Sequence, residues 1–231
     1  MFENHKYMIH TCNDRERYVR EYLVPSLIEQ GIDEHDIVIW LDIECVGNLR
    51  SFVGSCKWIG DNYASNESTW HLQDDVVISS CFAEKAQKHY SGYAVGFCND
   101  LFDGERTNVL GKTATVYMWF SFQCILIPNR IAGEFAKWFD EVCVPQNMFP
   151  EFVSTGKCDD SLFRQYTLIF ETDMPAENIY PNIVDHIDYL IGGSVINQQR
   201  KGNQRISYWR DDALDEAVKK LEQYLAQRDM V

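Results

Sequence analysis

The sequence predicts an α/β domain with a mixed, mostly parallel central sheet flanked by helices. Three observations carry that prediction. Residues 7–12 (YMIHTC) and 36–42 (DIVIWLD) are apolar runs of strand length. Between them, RERYVREYLVPSLIEQG places Tyr18, Tyr22, Leu23 and Leu27 at helical spacing and ends at Gly31. Strand, helix and strand within residues 7–42 form a βαβ unit, and such a unit makes its strands parallel.

The elements follow in order. Asn13-Asp14 offer a turn and a cap after the first strand, and Pro25 is a kink or break in the helix that follows. Residues 47–56 (GNLRSFVGSC) read as a short helix after a turn, and 62–68 (NYASNES) as a polar loop. WHLQDDVVIS is a buried strand interrupted by two acids, SCFAEKAQKHY a helix, and 93–99 (YAVGFCN) a short strand. Residues 101–113 are a long polar connection of the kind that serves as a lid or an acceptor-binding segment. The aromatic run 114–128 fits strand structure, and Pro128-Asn129 opens a helix whose Phe135, Trp138, Phe139 and Val142 form one buried stripe. Residues 158–171 (CDDSLFRQYTLIFE) form a helix with two aspartates at its start, and 178–194 are loop or strand ending in Gly192-Gly193. The tail is amphipathic, with Leu214, Val218, Leu221 and Leu225 on one face. These elements divide into a catalytic-type domain at 1–195 and, at 196–231, a basic loop with a helix packed on that domain.

The chain has 231 residues, is 45% hydrophobic, and carries a formal net charge of −14. So acidic a surface repels phosphate backbones and disfavours duplex nucleic acid as a general partner. The exception is QQRKGNQR at 198–205, either a solvated loop or a local phosphate- or acceptor-contacting loop. The eight cysteines include no CxxC pair and read as reduced core thiols of a cytoplasmic protein. The start MFENHKYMIH is not patterned as a signal peptide, and no apolar run reaches the roughly 18 residues of a membrane helix, so no membrane association is expected.

The chemistry concentrates at Asp74 and Asp75. Burying a carboxylate without compensation is expensive, so an acid pair at a strand end needs a partner, and a divalent cation with oxygen ligands is one. Strand alternation sends the two side chains in different directions if both stay extended. A cap or salt-bridge role is the plainer alternative. In open α/β sheets, ligands bind beyond the carboxyl ends of the strands, where these acids and Asp42 stand.

Gln73-Asp74-Asp75-Val76 resembles the metal-binding acidic motif of GT-A glycosyltransferases, commonly Asp-x-Asp or a variant such as Glu-Asp-Asp, although Gln73 stands where that variant has an acid. The resemblance implies a GT-A (Rossmann-like) fold, with Asp75 on Mn²⁺ or Mg²⁺ and Asp74 on the ribose or sugar of the donor, two roles the acids can exchange. IHTCNDRERY is similar to the first strand and turn that hold the nucleotide, which makes His10, Thr11 and Arg15 candidate donor contacts. Arg15 or Arg17 would pair a phosphate, the alternative being arginines on a helix surface. By its place at the second strand's end, Asp42 is a candidate for the uracil or ribose site. CDDSLF resembles the segment that supplies the base in inverting members, so Asp159 and Asp160 are candidate catalytic carboxylates. Helix N-capping is their alternative role. VDHIDYLIGGS resembles the late segment carrying a metal-ligating histidine, which makes His186 the second candidate metal ligand. As an order of elements the resemblance spans residues 7–195, and QDDV is its specific part. Small phage-encoded members share this compact plan, and some act on modified DNA bases.

The resemblance implies an enzyme that moves a hexosyl or pentosyl group from a nucleotide-diphosphate donor, UDP-sugar first, to a hydroxyl acceptor, with inversion. The acceptor is a small molecule, glycan, protein or modified DNA base. Trp70, Phe97 and Trp119 are candidates for stacking on sugar or base, with core packing as the plainer account of each. A nucleotidyltransferase of related fold is the alternative, but Thr11-Cys12-Asn13-Asp14 lacks the glycine-rich phosphate loop expected there. A non-catalytic nucleotide-binding or structural protein is the third class.

Overall fold

The computed structural model describes residues 5–88, 93–95, 113–115, 123–156, 159–170, 175–179, 182–191 and 211–228. Phe97, Cys98, residues 101–112, Trp119, Cys158, Gly192-Gly193, the 195/196 boundary and the basic run 198–205 lie outside the described residues.

The sheet is built around β1 (Lys6–Cys12), with β2 (Ile37–Asp42) on one side and β3 (Ser68–Gln73) on the other, both parallel to it. Beyond β3 come β7 (Cys124–Pro128), β5 (Tyr93–Val95), β8 (Pro175–Asn178) and β6 (Thr113–Thr115), giving seven strands in the order β2-β1-β3-β7-β5-β8-β6. Strands β1, β2, β3, β5 and β8 run one way and β7 and β6 the other, so the sheet is mixed and mostly parallel. The aromatic run 114–128 is therefore not one strand, because its two described ends occupy different places in the sheet.

Alternation along the strands sorts their side chains between two helical layers. Tyr7 and Ile9 of β1 and Trp70 and Leu72 of β3 pack with α1 (Glu16–Tyr18), α2 (Val24–Glu29), α4 (Phe82–Ala86) and α8 (Asp212–Arg228). Met8 of β1 and Ile125 and Ile127 of β7 pack with α3 (Asn48–Asn62), α5 (Asn129–Trp138) and α7 (Asp159–Phe170). Trp70 is thus a core residue, on the layer opposite His71 and Phe52.

Helices α1 and α2 are joined by a π-helical stretch, Val19–Leu23, and Pro25 follows it within the same continuous helical run, where it has no N–H to donate to the preceding turn. Buried Tyr18, Val19, Leu23 and Leu27 hold this segment down at roughly 1.5–3 kcal/mol for each fully buried large side chain. Its Arg17–Glu21 and Arg20–Glu16 pairs are exposed and screened by solvent, so packing decides where the helix lies. At the other end of the chain, Leu214, Val218, Leu221 and Leu225 are buried against this same layer, as their spacing predicts.

Helices α3 and α5 cross at Gly60 and Gly133, where a Cβ on Gly60 would come within 2.7 Å of the Gly133 Cα. Backbone cannot yield there as a side chain can. Gly60→Ala is expected to destabilise the protein by about 1–3 kcal/mol, read as a lower urea midpoint at unchanged slope.

Asp74 and Asp75 form a two-residue turn after β3, and the chain then leaves the seven-stranded sheet. Strand β4 (Val76–Ile78) pairs instead with β9 (Val184–His186) as an antiparallel ribbon, Val76 opposite His186. The strand expected to run through the acids is thus two strands in two different sheets, and the helix expected after it follows as α4. Ribbon and turn are fastened twice, by Ile187 N–H donating to the Asp75 carbonyl at 2.8 Å and by the buried Tyr18 hydroxyl donating to the Val76 carbonyl at 2.6 Å. No described helix is long and apolar enough to cross a membrane.

Candidate functional site

Strand order puts β1 between β2 and β3, so the chain departs from β1 in opposite directions across the sheet. That reversal opens a crevice at the carboxyl ends of the parallel strands. A cavity of about 290 Å³ lies there, lined by His10, Thr11 and Cys12 at the end of β1, Asp42 at the end of β2, Gln73 at the end of β3 with Asp74 and Asp75 just beyond it, the start of α3, and Asp159. Seven of the nine residues singled out in the sequence, His10, Thr11, Arg15, Asp42, Asp74, Asp75 and Asp159, line it. His186 joins them through Asp75. Asp160 is not among the lining residues, and its Oδ1 accepts from the Ser161 N–H at 2.7 Å, a local role at the start of α7.

The two acids do not point apart. Because they sit in a turn and not in an extended strand, both reach Arg15, whose Nη1 lies 3.3 Å from Asp74 Oδ1 and 3.0 Å from Asp75 Oδ2. Arg15 is 5% exposed and belongs to no helix surface. Asp74 Oδ2 also accepts from the Cys12 N–H at 3.2 Å. His186 Nε2 lies 3.0 Å from Asp75 Oδ2, and its Nδ1 lies 3.2 Å from Asp188 Oδ1. The ribbon explains this meeting: pairing Val76 with His186 sets the ring beside the preceding residue, Asp75, although 111 positions separate the two in sequence.

Burial pushes Asp75 toward the neutral form, but the charges and hydrogen bonds of His186 and Arg15 overcome it and hold the carboxyl well below the usual range. For His186 burial opposes the charge, yet Asp75 and Asp188 outweigh it and raise the imidazole to about 9. Burial, then the adjacent Asp75, pushes Asp74 up to about 6. Burial, then the charge of Asp160, pushes Asp159 up to about 7. Asn48 Nδ2 donates to Asp159 Oδ1 at 2.7 Å, which ties the start of α7 to the start of α3. The turn ahead of α3 needs Gly47 at φ 92°, where a Cβ would stand 3.0 Å from the Gly156 carbonyl oxygen.

A hard divalent cation is the group the acidic motif implies, and the donors suit one in part. Asp75 Oδ1 is buried with no hydrogen-bond partner among the described residues, and an imidazole nitrogen stands beside the same carboxylate. Asp188, across the ring, orients that imidazole as carboxylates orient metal-bound histidines. No group of three or more His, Cys, Asp or Glu side chains among the described residues is arranged to hold a metal. Among the described residues, Asp75 and His186 are two donors, a number that suits Mg²⁺ or Mn²⁺ where water and substrate phosphate complete the shell.

Sequence reading missed Asn48, Ser51, Phe52 and His71, which also line the cavity. Gly47-Asn48, a turn residue and a helix-start residue shortly after an acid-ended strand, is the signal that points to the first of them. His71 carries no such signal, because it is one of several polar residues of β3 and stands between the apolar Trp70 and Leu72. His10 Nε2 and His71 Nδ1 lie 2.9 Å apart, with Phe52 against both rings. Burial lowers His10 to about 4 and His71 well below its ordinary value, so both rings are neutral at pH 7. No protein-family model matches the sequence, and no curated protein matches it, so the functional reading rests on the chemistry of this cavity.

Proposed function

We propose that the protein is a glycosyltransferase of GT-A type, moving a sugar from a nucleotide-diphosphate donor to a hydroxyl acceptor with a divalent cation. The observation that carries this reading is the convergence, at the switch point of a mostly parallel sheet, of an acid pair, a buried arginine and a second carboxyl group of raised pKa.

In this reading Asp75 and His186 hold Mn²⁺ or Mg²⁺, which when bound supplies Lewis-acid neutralisation of charge on the departing diphosphate. Arg15 fixes the carboxylate of Asp75 and keeps Asp74 in reach of a ribose or sugar hydroxyl. His10, Thr11 and Asp42 contact the nucleoside part of the donor. Asp159 takes the proton of the acceptor hydroxyl as its oxygen attacks the anomeric carbon, and its carboxyl near 7 suits a general base at neutral pH. Asn48 aims that carboxyl. The donor is a UDP-sugar, and the acceptor is a hydroxyl of a small molecule, glycan, protein or modified DNA base.

The test is a panel of nucleotide-sugars assayed for hydrolysis with Mn²⁺, using wild type and Asp75→Ala. Wild type is expected to hydrolyse one donor, with loss of about 10²-fold or more in the variant. Equal turnover by both proteins refutes the role given to Asp75.

One observation favours a second reading, a non-catalytic nucleotide-binding or structural protein: Arg15 and His186 already neutralise the acid pair from within the chain. Calorimetric titration with Mn²⁺ and UDP separates the glycosyltransferase from a structural protein, and turnover in the donor panel separates it from a non-catalytic nucleotide-binding one. Absence of heat, together with absence of a thermal shift, selects the structural account.

A further inference from the structure

His71 is the one deeply buried polar residue of the cavity wall that the reaction just described leaves without a task. It is 2% exposed, and its Nε2 has no hydrogen-bond partner among the described residues. Its Nδ1 faces His10 Nε2 at 2.9 Å. The two rings are 16° from coplanar, with centroids 5.2 Å apart. That separation is the N···N distance plus the two ring radii, so the rings meet edge to edge and the contact is an in-plane hydrogen bond.

Two tautomer pairs satisfy this bond, and they differ in what they strand. If His10 donates, His71 carries its proton on Nε2, and a buried N–H donor is left without an acceptor. If His71 donates through Nδ1–H, its Nε2 keeps only a lone pair. Buried orphan N–H groups are rare and expensive, while under-used acceptors are tolerated better. We infer that His71 is a positioning residue: its Nδ1–H donates to His10 Nε2, which fixes the His10 proton on Nδ1 and presents an uncharged N–H donor to the cavity. His10 lines that cavity, and with Nε2 turned to His71, Nδ1 is the nitrogen left for a ligand.

A neutral donor beside the apolar face of Phe52 selects a neutral acceptor, such as a carbonyl oxygen, over an oxyanion, which would go to a cation. On the glycosyltransferase reading, on which only this ligand assignment rests, the acceptor is a carbonyl of the donor's pyrimidine base. The tautomer assignment stands apart from it.

Long-range ¹H–¹⁵N correlation spectra of histidine-labelled wild-type protein at pH 7 test the assignment, with signals identified by their loss in His10→Gln and His71→Asn. The expected result is two neutral rings, each with its proton on Nδ1. A His10 proton on Nε2, or a charged His10, overturns the inference. Titration with UDP then reads the ligand arm. His71→Asn is expected to weaken UDP about tenfold or more while wild type binds it, and equal affinity in the two proteins overturns the positioning role. Failure of wild type itself to bind UDP refutes the sugar-nucleotide reading and leaves the tautomers to be decided by the spectra alone.

Discussion

Replacing Arg15 with methionine is expected to lower the unfolding free energy by about 3–5 kcal/mol, the largest stability effect of any single change at the cavity. The stem length is kept, so the loss is electrostatic. Asp74 and Asp75 turn into the protein because one guanidinium spans them at 3.3 and 3.0 Å. Removing it strands two adjacent carboxyls, with His186 the cationic partner of Asp75 that remains among the contacts described above. Protonating the acids relieves part of that repulsion, so the deficit is smaller at pH 5 than at pH 8. Urea denaturation at both values measures it. Arg17→Met is the control, because Arg17 makes an exposed pair with Glu21 and its loss is expected to stay within about 0.5 kcal/mol. If the two variants lose the same amount, the acid pair is compensated by something other than Arg15.

Asp159→Asn is expected to have the largest effect on turnover, about 10²–10⁴-fold, if that carboxylate removes the acceptor proton. Wild-type rate is expected to rise with pH and level off above about 7, where Asp159 ionises. The same residue leaves a trace in stability that needs no substrate. Its folded-state pKa, about 7, lies above the ordinary 3.8, so between these values the folded protein binds more protons than the unfolded chain. Stability from this group is complete below about pH 4 and declines as pH rises through 7. Asparagine removes the titration and retains an oxygen for the Asn48 amide, so the variant is expected to lose less stability than wild type between pH 5 and pH 8. An equal change in both proteins would mean that Asp159 is already ionised when buried.

What was legible in the sequence is what local pattern encodes. The βαβ start needs only two apolar runs and a helical stripe, and α8 needs only Leu214, Val218, Leu221 and Leu225 at their spacing. Asp74 and Asp75 stood out because charge inside an apolar run has a price that must be met locally. Pairing between distant strands has no such local signature. Nothing in the run 114–128 tells that β7 lies antiparallel beside β3, or that β6 lies at the far edge. Strand alternation gave the wrong directions for the acid pair, since the chain turns there and both carboxylates meet Arg15. His71 was invisible for a related reason: its partner His10 sits on a neighbouring strand, and the register His10 opposite Gln73 that brings the rings together is a property of the sheet.

The ribbon of β4 and β9 has a consequence for biosynthesis. Helix α8 packs over this ribbon, and Val76, Val77 and Val184 share one apolar cluster with Leu214 and Leu221. During translation, the segment that carries Asp75 emerges long before the residues that cover it. The nascent polypeptide can lay down β1, β2 and β3 early, but Asp75 meets His186 only after residue 186 has emerged, and the ribbon gains its apolar cover only when residues 212–228 dock.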